Sequence, residues 1–259
     1  MDKVLVVTGG SRGIGAETAR LAASRGYAVA VNYRERADAA QALVDEIQSA
    51  GGKAIAVQAD VAKSADVERL FDTVDRELGR LTAFVNSAGH GGGYVRAKDF
   101  DPQVLDVIMQ VTIVGAMVSA REAVRRMALS EGGQGGVIVN VSSMASTIGG
   151  RPGRTDYAAA KSAVDSFTVG LAKEVARDGI RVNAVRPAVT MTDMVDQLRH
   201  DDEARAAIAD SIPINRIAEP IEVAQPIMWL LSDEASYVNG CLLDVSGGGF
   251  MVTELKKPK

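Results

Sequence analysis

The sequence predicts an α/β protein: one doubly wound parallel sheet of seven strands, with helices on both faces. Three observations predict it. Seven short runs are apolar on both faces, as strands buried within a parallel sheet must be. Segments with helical spacing separate them, which is the order of a sheet covered on both sides. No repeat, low-complexity tract or linker interrupts the 259 residues, so 1–259 reads as a single domain.

The elements follow in order. "VLVVTGG" is a β-branched strand, and residues 14 to 25 then recur apolar or small every three or four positions. "YAVAVNY" is the second strand, and "ADAAQALVDEIQSAGG" is a helix closed by glycines. "AIAVQADV", a helix from about Ala65 to Leu78, and "LTAFVNSAG" repeat the cycle. A long helical region, 103 to 130, precedes "GVIVNVSS". The helix holding Tyr157 comes next, followed by "IRVNAVRP", a helix around "VAQPIMWLLS", and a last strand, "CLLDVSG".

Composition narrows the function. Hydrophobic residues make up 47% and charged residues 24%, ordinary for a globular protein. The net charge is −4, so there is no basic excess to draw nucleic acid, and the "KKPK" at the end is too short to supply one. A lone cysteine, Cys241, excludes an internal disulfide, fits a reducing compartment and reads as a buried structural thiol. With two histidines and one cysteine, a metal site would need mainly carboxylates, and no such cluster stands in the sequence. "MDKVLVVTGG" reaches its glycines too soon for a signal peptide, and no apolar stretch reads as long enough to span a bilayer. The expectation is a soluble, cytoplasmic protein without membrane or nucleic-acid partners.

In such a sheet, ligands bind beyond the carboxyl ends of the strands, where strand order reverses. After the first strand comes "TGGSRGIG", residues 8 to 15, with Gly9, Gly13 and Gly15 between a strand and a helix. Gly9 permits the tight turn, Gly13 lets backbone approach a pyrophosphate, and Gly15 allows close helix packing. The helix N-terminus then offers free N–H groups to phosphates. The motif in this context predicts dinucleotide binding. The second strand ends "VNYR", with Asn32 and Tyr33 where an acidic residue would hold both ribose hydroxyls of NAD. Arg34 follows, and Arg12 lies in the glycine turn. Two guanidinium forks suit a ribose 2′-phosphate, which points to NADP(H) ahead of NAD(H).

"TDYAAAKSAV", residues 155 to 164, sets Tyr157 and Lys161 one helical turn apart with only alanines between. A free tyrosine, with a pKa of about 10, is a poor base near neutrality, and a neighbouring cation stabilises its phenolate. A carbonyl reduced by hydride needs a proton, and such a pair can give it.

These segments together resemble the short-chain dehydrogenase/reductase family over essentially the whole chain. "TGGSRGIG", "ADV" after the third strand, "NSAG" at 86 to 89, "VNVSS", "YAAAK", "RVNAVRP" and the closing "SGG" carry the resemblance. It is nearest the 3-oxoacyl-carrier-protein reductase-like and glucose 1-dehydrogenase-like branch. The resemblance implies a Rossmann fold, hydride transfer between a nicotinamide and a carbonyl or secondary alcohol, and a homotetramer built on the long helices and the last strand. It implies Tyr157 as general acid/base, Lys161 as its electrostatic partner and ribose ligand, and Ser143 as the group orienting the carbonyl. Ser142 competes with Ser143, because the interval to Tyr157 is one residue longer than usual in the family; the glycines at 149, 150 and 153 can absorb it. Ser11 and Ile14 join the glycine turn as cofactor contacts. Asp60 and Val61 match adenine contacts, and Asn86, Ala88 and Gly89 match the segment under the adenosine ribose. Pro187, Thr190 and Thr192 match positions near the carboxamide and phosphates, with simple loop capping the alternative for the two threonines.

Three positions depart from the family pattern. Thr112, the fourth member of the catalytic group, replaces an asparagine that in the family holds a helix distortion and a relay water beside the lysine; its backbone carbonyl could still bind the water and its hydroxyl could bond within the helix. Ser87 stands where asparagine is usual, and Ala188 where glycine follows the proline, so its backbone must avoid positive φ. They raise a second reading: a cofactor-binding sensor or scaffold with little turnover. On the substrate side, "HGGGYVRAKDF" is a glycine-rich loop in which His90 reads as a loop residue, and a lid is expected around 190–215. Its Met194, Val195, Leu198 and Ile208 face either a pocket or only the domain. Arg121, Arg125 and Arg126 could give a carrier protein a basic surface, though charges on one helix face are usually solvated.

Overall fold

A computed structural model of the chain describes residues 3–249; the terminal "KKPK" lies outside them. Seven strands form one parallel sheet: β1 (Lys3–Thr8), β2 (Tyr27–Tyr33), β3 (Lys53–Gln58), β4 (Ala83–Asn86), β5 (Gly136–Val141), β6 (Ile180–Pro187) and β7 (Leu242–Val245). Their spatial order is β3-β2-β1-β4-β5-β6-β7, so strand order reverses between β1 and β4. That places the crevice for a ligand beyond Thr8 and Asn86.

Alternation within β1 shows how both faces are filled. Val4 and Val6 point into one core with Phe71, Phe84 and Ile138; Leu5 and Val7 point into the other with Val29, Val139 and Ile227. Helices α1 (Gly13–Ser24), α2 (Ala37–Ser49) and α9 (Pro220–Leu231) cover the second face. The first is covered by α3 (Ser64–Glu77), α4 (Pro102–Met109), α5 (Gly115–Met127) and α7 (Thr155–Glu174). Two further helices, α6 (Ala145–Ile148) and α8 (Asp202–Asp210), stand over the carboxyl edge of the sheet; α8 falls in the expected lid segment, and α6 was not anticipated. Their apolar positions are too few to show a period.

Two sequence expectations need correcting. The helical rod Pro102–Met127, formed by α4, a π turn and α5, is 26 residues long and contains an 18-residue stretch with a mean hydropathy of 1.6, enough by length and composition to cross a bilayer. Isolated charged and polar residues had hidden this length in the sequence. Here one side of the rod packs on the domain through Ile108, Val111, Ala116, Ala120 and Met127, while Val104, Val107, Val114 and Met117 remain partly exposed. Cys241 is half-buried and not fully enclosed, because it precedes the short edge strand β7; its N–H donates to Asn183 Oδ1 at 2.9 Å.

A buried polar ladder crosses the middle of the sheet. Thr8 Oγ1 donates to Asn86 Oδ1 (3.1 Å), Asn86 Nδ2 to Asn140 Oδ1 (3.2 Å), and Asn140 Nδ2 to Thr168 Oγ1 on α7 (2.9 Å). The register makes it possible, since Thr8 pairs with Asn86 and Asn86 with Asn140. Each donor inside the ladder is satisfied, which is the condition under which buried amides stabilise a fold. Replacing Asn140 by Ala strands the buried Asn86 Nδ2 donor and removes the donor to Thr168 Oγ1, and urea unfolding should show a loss of about 2–3 kcal/mol.

Candidate active site

Beyond the carboxyl edge of the sheet lies a cleft of about 850 Å³. One wall is the glycine turn. Gly9 (φ 61°) sits so close to the next loop that a Cβ would lie 2.9 Å from Ala88 Cα. A Cβ on Gly15 would collide with the Gly9 carbonyl, which is the close packing expected there. Gly13 (φ 55°) leans on Thr192, whose methyl would be 3.1 Å from an added Cβ. No side chain caps the start of α1, so its first N–H groups remain available to an anion. Ser11, Arg12 and Ile14 line the cleft beside it.

Asn32 is occupied in holding this turn. Its Oδ1 accepts from Gly9 N (3.3 Å) and its Nδ2 donates to Ala59 O (3.0 Å), tying the ends of β1, β2 and β3 together. Tyr33 and Arg34 line the cleft, joined by Arg36, a third arginine that sequence reading missed although "YRER" displays it. All three arginines have exposed carboxylate partners: Arg12–Asp193 at 3.3 Å, Arg34–Glu35 at 2.5 Å and Arg36–Asp38 at 3.1 Å. Exposed pairs of this kind are worth about 0–1 kcal/mol, so a phosphate can displace them. Asp60 and Val61 also line the cleft; the Asp60 carboxylate accepts from Ala62 N at 3.1 Å. Gly115 lets α5 approach, since a Cβ there would sit 2.8 Å from Val61 O.

Asn86 departs from expectation. Its side chain belongs to the polar ladder and does not line the cleft, whereas Ser87, Ala88 and Gly89 do. An asparagine at a strand end reads alike in sequence whether it turns toward ligand or neighbour. Ala188 has no positive φ; among the described residues only Asn215 (58°) does so without being glycine.

Ser143, Tyr157 and Lys161 come together on the opposite wall. Ser143 and Tyr157 share that wall, and the Ser143 side chain draws the Tyr157 phenol down. Both serines line the cleft, and the Ser142 hydroxyl is engaged in donating to Lys161 O at 3.2 Å. The extra residue before Tyr157 is taken up by α6 and by Gly149, Gly150 and Gly153, all with positive φ. Lys161 is 5% exposed, and its Nζ donates to Val141 O at 2.7 Å while lying 5.8 Å from the Tyr157 ring centre. A Cβ on Gly89 would lie 3.4 Å from that nitrogen, so glycine keeps its approach open. Burial lowers the Lys161 ammonium to about 8, with Asp165 one turn on opposing the shift. Burial raises the Tyr157 phenol; the Ser143 side chain and the charge of Arg154 pull it back.

Thr112 does not touch the cleft, and its hydroxyl does not bond within its helix. It accepts from His90 N at 3.3 Å, anchoring the glycine-rich loop. His90 itself organises that loop, its Nδ1 accepting from Gly92 N at 3.1 Å. The helix distortion is present nonetheless: residues 110–114, between α4 and α5, form a π turn with threonine in place of asparagine. Pro187 ties the end of β6 to the Ser143 segment, its carbonyl accepting from Met144 N (2.9 Å). Thr190 caps its own loop, donating to Ala188 O at 3.1 Å, and Thr192 lines the cleft. Met194, Val195, Leu198 and Ile208 face the cleft, from a 3₁₀ segment (Asp193–Arg199) and from α8.

Arg121, Arg125 and Arg126 are no free basic patch. They converge on buried Glu122, and Arg121 and Arg126 also reach Glu68, Asp72 and Asp75. Among the described residues no group of three or more His, Cys, Asp or Glu is arranged to hold a metal.

The model of a family described as enoyl-(acyl carrier protein) reductase matches residues 9–249. An uncharacterised oxidoreductase of Escherichia coli, YgfF, is 44% identical over 246 residues, covering 95% of this chain and 99% of its own. The chain is a short-chain dehydrogenase/reductase. A human 3-oxoacyl-[acyl-carrier-protein] reductase is 39% identical over 96% of this chain and 98% of its own; a Staphylococcus aureus reductase of the same name is 35% identical over 97% and 99%. A solved dehydrogenase/reductase from Sinorhizobium meliloti superposes with a TM-score of 0.88 at 34% identity, covering 95% of this chain and 94% of the other. Membership of the family makes the protein an oxidoreductase of carbonyl or alcohol groups that uses a nicotinamide cofactor.

The buried ammonium has a measurable consequence. Lys161 holds its proton less tightly folded than unfolded, so the penalty is full below pH 8 and fades as pH rises from about 8 toward the ordinary lysine range. Lys161→Met should therefore unfold at a higher urea concentration than the parent near neutrality, by about 1–3 kcal/mol, while losing turnover. Repeating the titration at about pH 9.5 should narrow the gap.

Proposed function

We propose that this chain reduces a carbonyl to a secondary alcohol, reversibly, with NADPH as hydride donor. The observation that carries the reading is the grouping of Ser143, Tyr157 and buried Lys161 on one wall of the cleft, across from the uncapped N-terminus of α1. When bound, the cofactor supplies the hydride. Ser143 holds the substrate oxygen, and Tyr157 gives it a proton as the alkoxide forms. In the structure the tyrosine lies above its ordinary range, which suits a proton donor; the charge of the oxidised nicotinamide would lower it for the reverse direction. Lys161 sits where it can hydrogen-bond the nicotinamide ribose and supply charge beneath the phenol.

The glycine turn, with Gly9, Gly13 and Gly15, would take the pyrophosphate. Arg12 and Arg34, aided by Arg36, would clamp the 2′-phosphate, and Asp60 and Val61 would flank the adenine. The segment Asp193–Arg199 with α8 would serve as the lid. A homotetramer is supported by the apolar side of the rod at Val107, Val114 and Met117, and by half-exposed Trp229 on α9.

NADPH oxidation against ketones, quinones and 3-oxoacyl thioesters tests the reading. Tyr157→Phe should lower kcat by about 10²–10⁴-fold with NADPH binding retained. Tight NADPH binding without turnover on any of them would instead favour the sensor reading. Arg34→Glu should weaken NADPH binding by about tenfold or more and leave NADH binding little changed, read by cofactor fluorescence.

A further inference from the structure

The substrate half of the cleft holds a cation that the reaction does not require. Arg154 precedes α7, and its guanidinium lies 4.6 Å from the Tyr157 ring centre and 5.1 Å from that of Tyr94. Nη1 donates to Gly91 O (2.6 Å) and Gly93 O (3.2 Å), which fixes the plane of the fork. Among the described residues, Nε and Nη2 have no hydrogen-bond partner and no carboxylate pairs with the group. Asp156, the nearest carboxylate in sequence, is buried and accepts from Tyr157 N (2.7 Å).

The carboxylates of the cleft are all committed elsewhere. Glu35 pairs with Arg34, Asp193 with Arg12, and Asp60 caps the turn at Ala62. Met194 stands beside Arg154 across Gly91, and Ile148, Leu198, His90 and Arg151, the last donating to Ser211 Oγ at 3.1 Å, also line the cleft. This end of the cleft is partly desolvated and presents an oriented guanidinium edge beside the tyrosine. A planar oxyanion fits such an edge in bidentate fashion.

We propose that the substrate is a small carbonyl compound bearing a carboxylate near its carbonyl, with Arg154 as the specificity-determining residue that holds it. This rests on the reductase reading above. The carboxylate is a handle and does not react: hydride adds to the carbonyl carbon, the Tyr157 proton to its oxygen, and the acid group leaves unchanged in the hydroxy acid. A neutral 3-oxoacyl chain has nothing for this cation.

The test compares acetoacetate with methyl acetoacetate, and pyruvate with methyl pyruvate, as kcat/KM with NADPH. The parent protein should prefer the acid of at least one pair by about tenfold or more. Arg154→Met should collapse that ratio, and Arg154→Lys should restore part of it. Should Arg154 only staple the glycine loop, both members of a pair fall together, and the proposal fails. Equal or better turnover of both esters by the parent protein also sinks it, while leaving the reductase reading intact. If no compound turns over, calorimetric titration of acetoacetate and pyruvate into the NADP⁺ complex decides. Saturable binding lost in Arg154→Met supports the anion site although the reductase reading fails; no binding of either acid overturns it.

Discussion

The hydrogen bond from Lys161 Nζ to Val141 O, 2.7 Å long and almost sealed from water, is the contact on which the site depends. It fastens α7 to the end of β5, and so fixes Tyr157 relative to Ser143, which begins the loop after that strand. An ammonium is costly to bury, and its lowered pKa shows that cost directly. Asp165 compensates in part from one turn below. Such a group persists where function requires it, and the surrounding fold must be firm enough to hold it.

Firmness comes from the sheet. Two separate cores clamp it, and the ladder Thr8–Asn86–Asn140–Thr168 locks β1, β4, β5 and α7 in one register. A slip in that register would break every amide pair at once. Over this frame the loops have more freedom: the glycine-rich 90–94 segment is tied only at a few points, by Thr112, His90 and Arg154. Rigid chemistry below and adjustable recognition above is the division such sheets favour.

Thr112 shows how one substitution can keep a geometry while changing its support. The π turn where the family resemblance implies an asparagine forms here with a threonine whose hydroxyl is turned toward the His90 loop. The distortion is a property of the helix joining α4 and α5 and of the packing at Gly115, which must approach Val61. Arg154 is a group of another kind, a cation placed beside Tyr157 and held by the loop carbonyls. Family membership says that a carbonyl or alcohol is the reacting group; what surrounds that group is decided by such local additions.

Much was legible in the sequence because it rests on local rules. β-branched runs made seven strands, glycines at 9, 13 and 15 made the turn, and helical spacing put Tyr157 above Lys161. Those features need only the chain's own periodicity and the freedom of glycine. What the sequence left open depends on partners far along the chain. The Ser142 hydroxyl is taken up by Lys161 O, 19 residues on; Asn86 turns to Asn140, 54 residues on; Arg154 takes its direction from carbonyls more than 60 residues before it. Side-chain direction at a strand end or loop is set by whichever neighbour satisfies the donor, and that neighbour exists only once the sheet has closed.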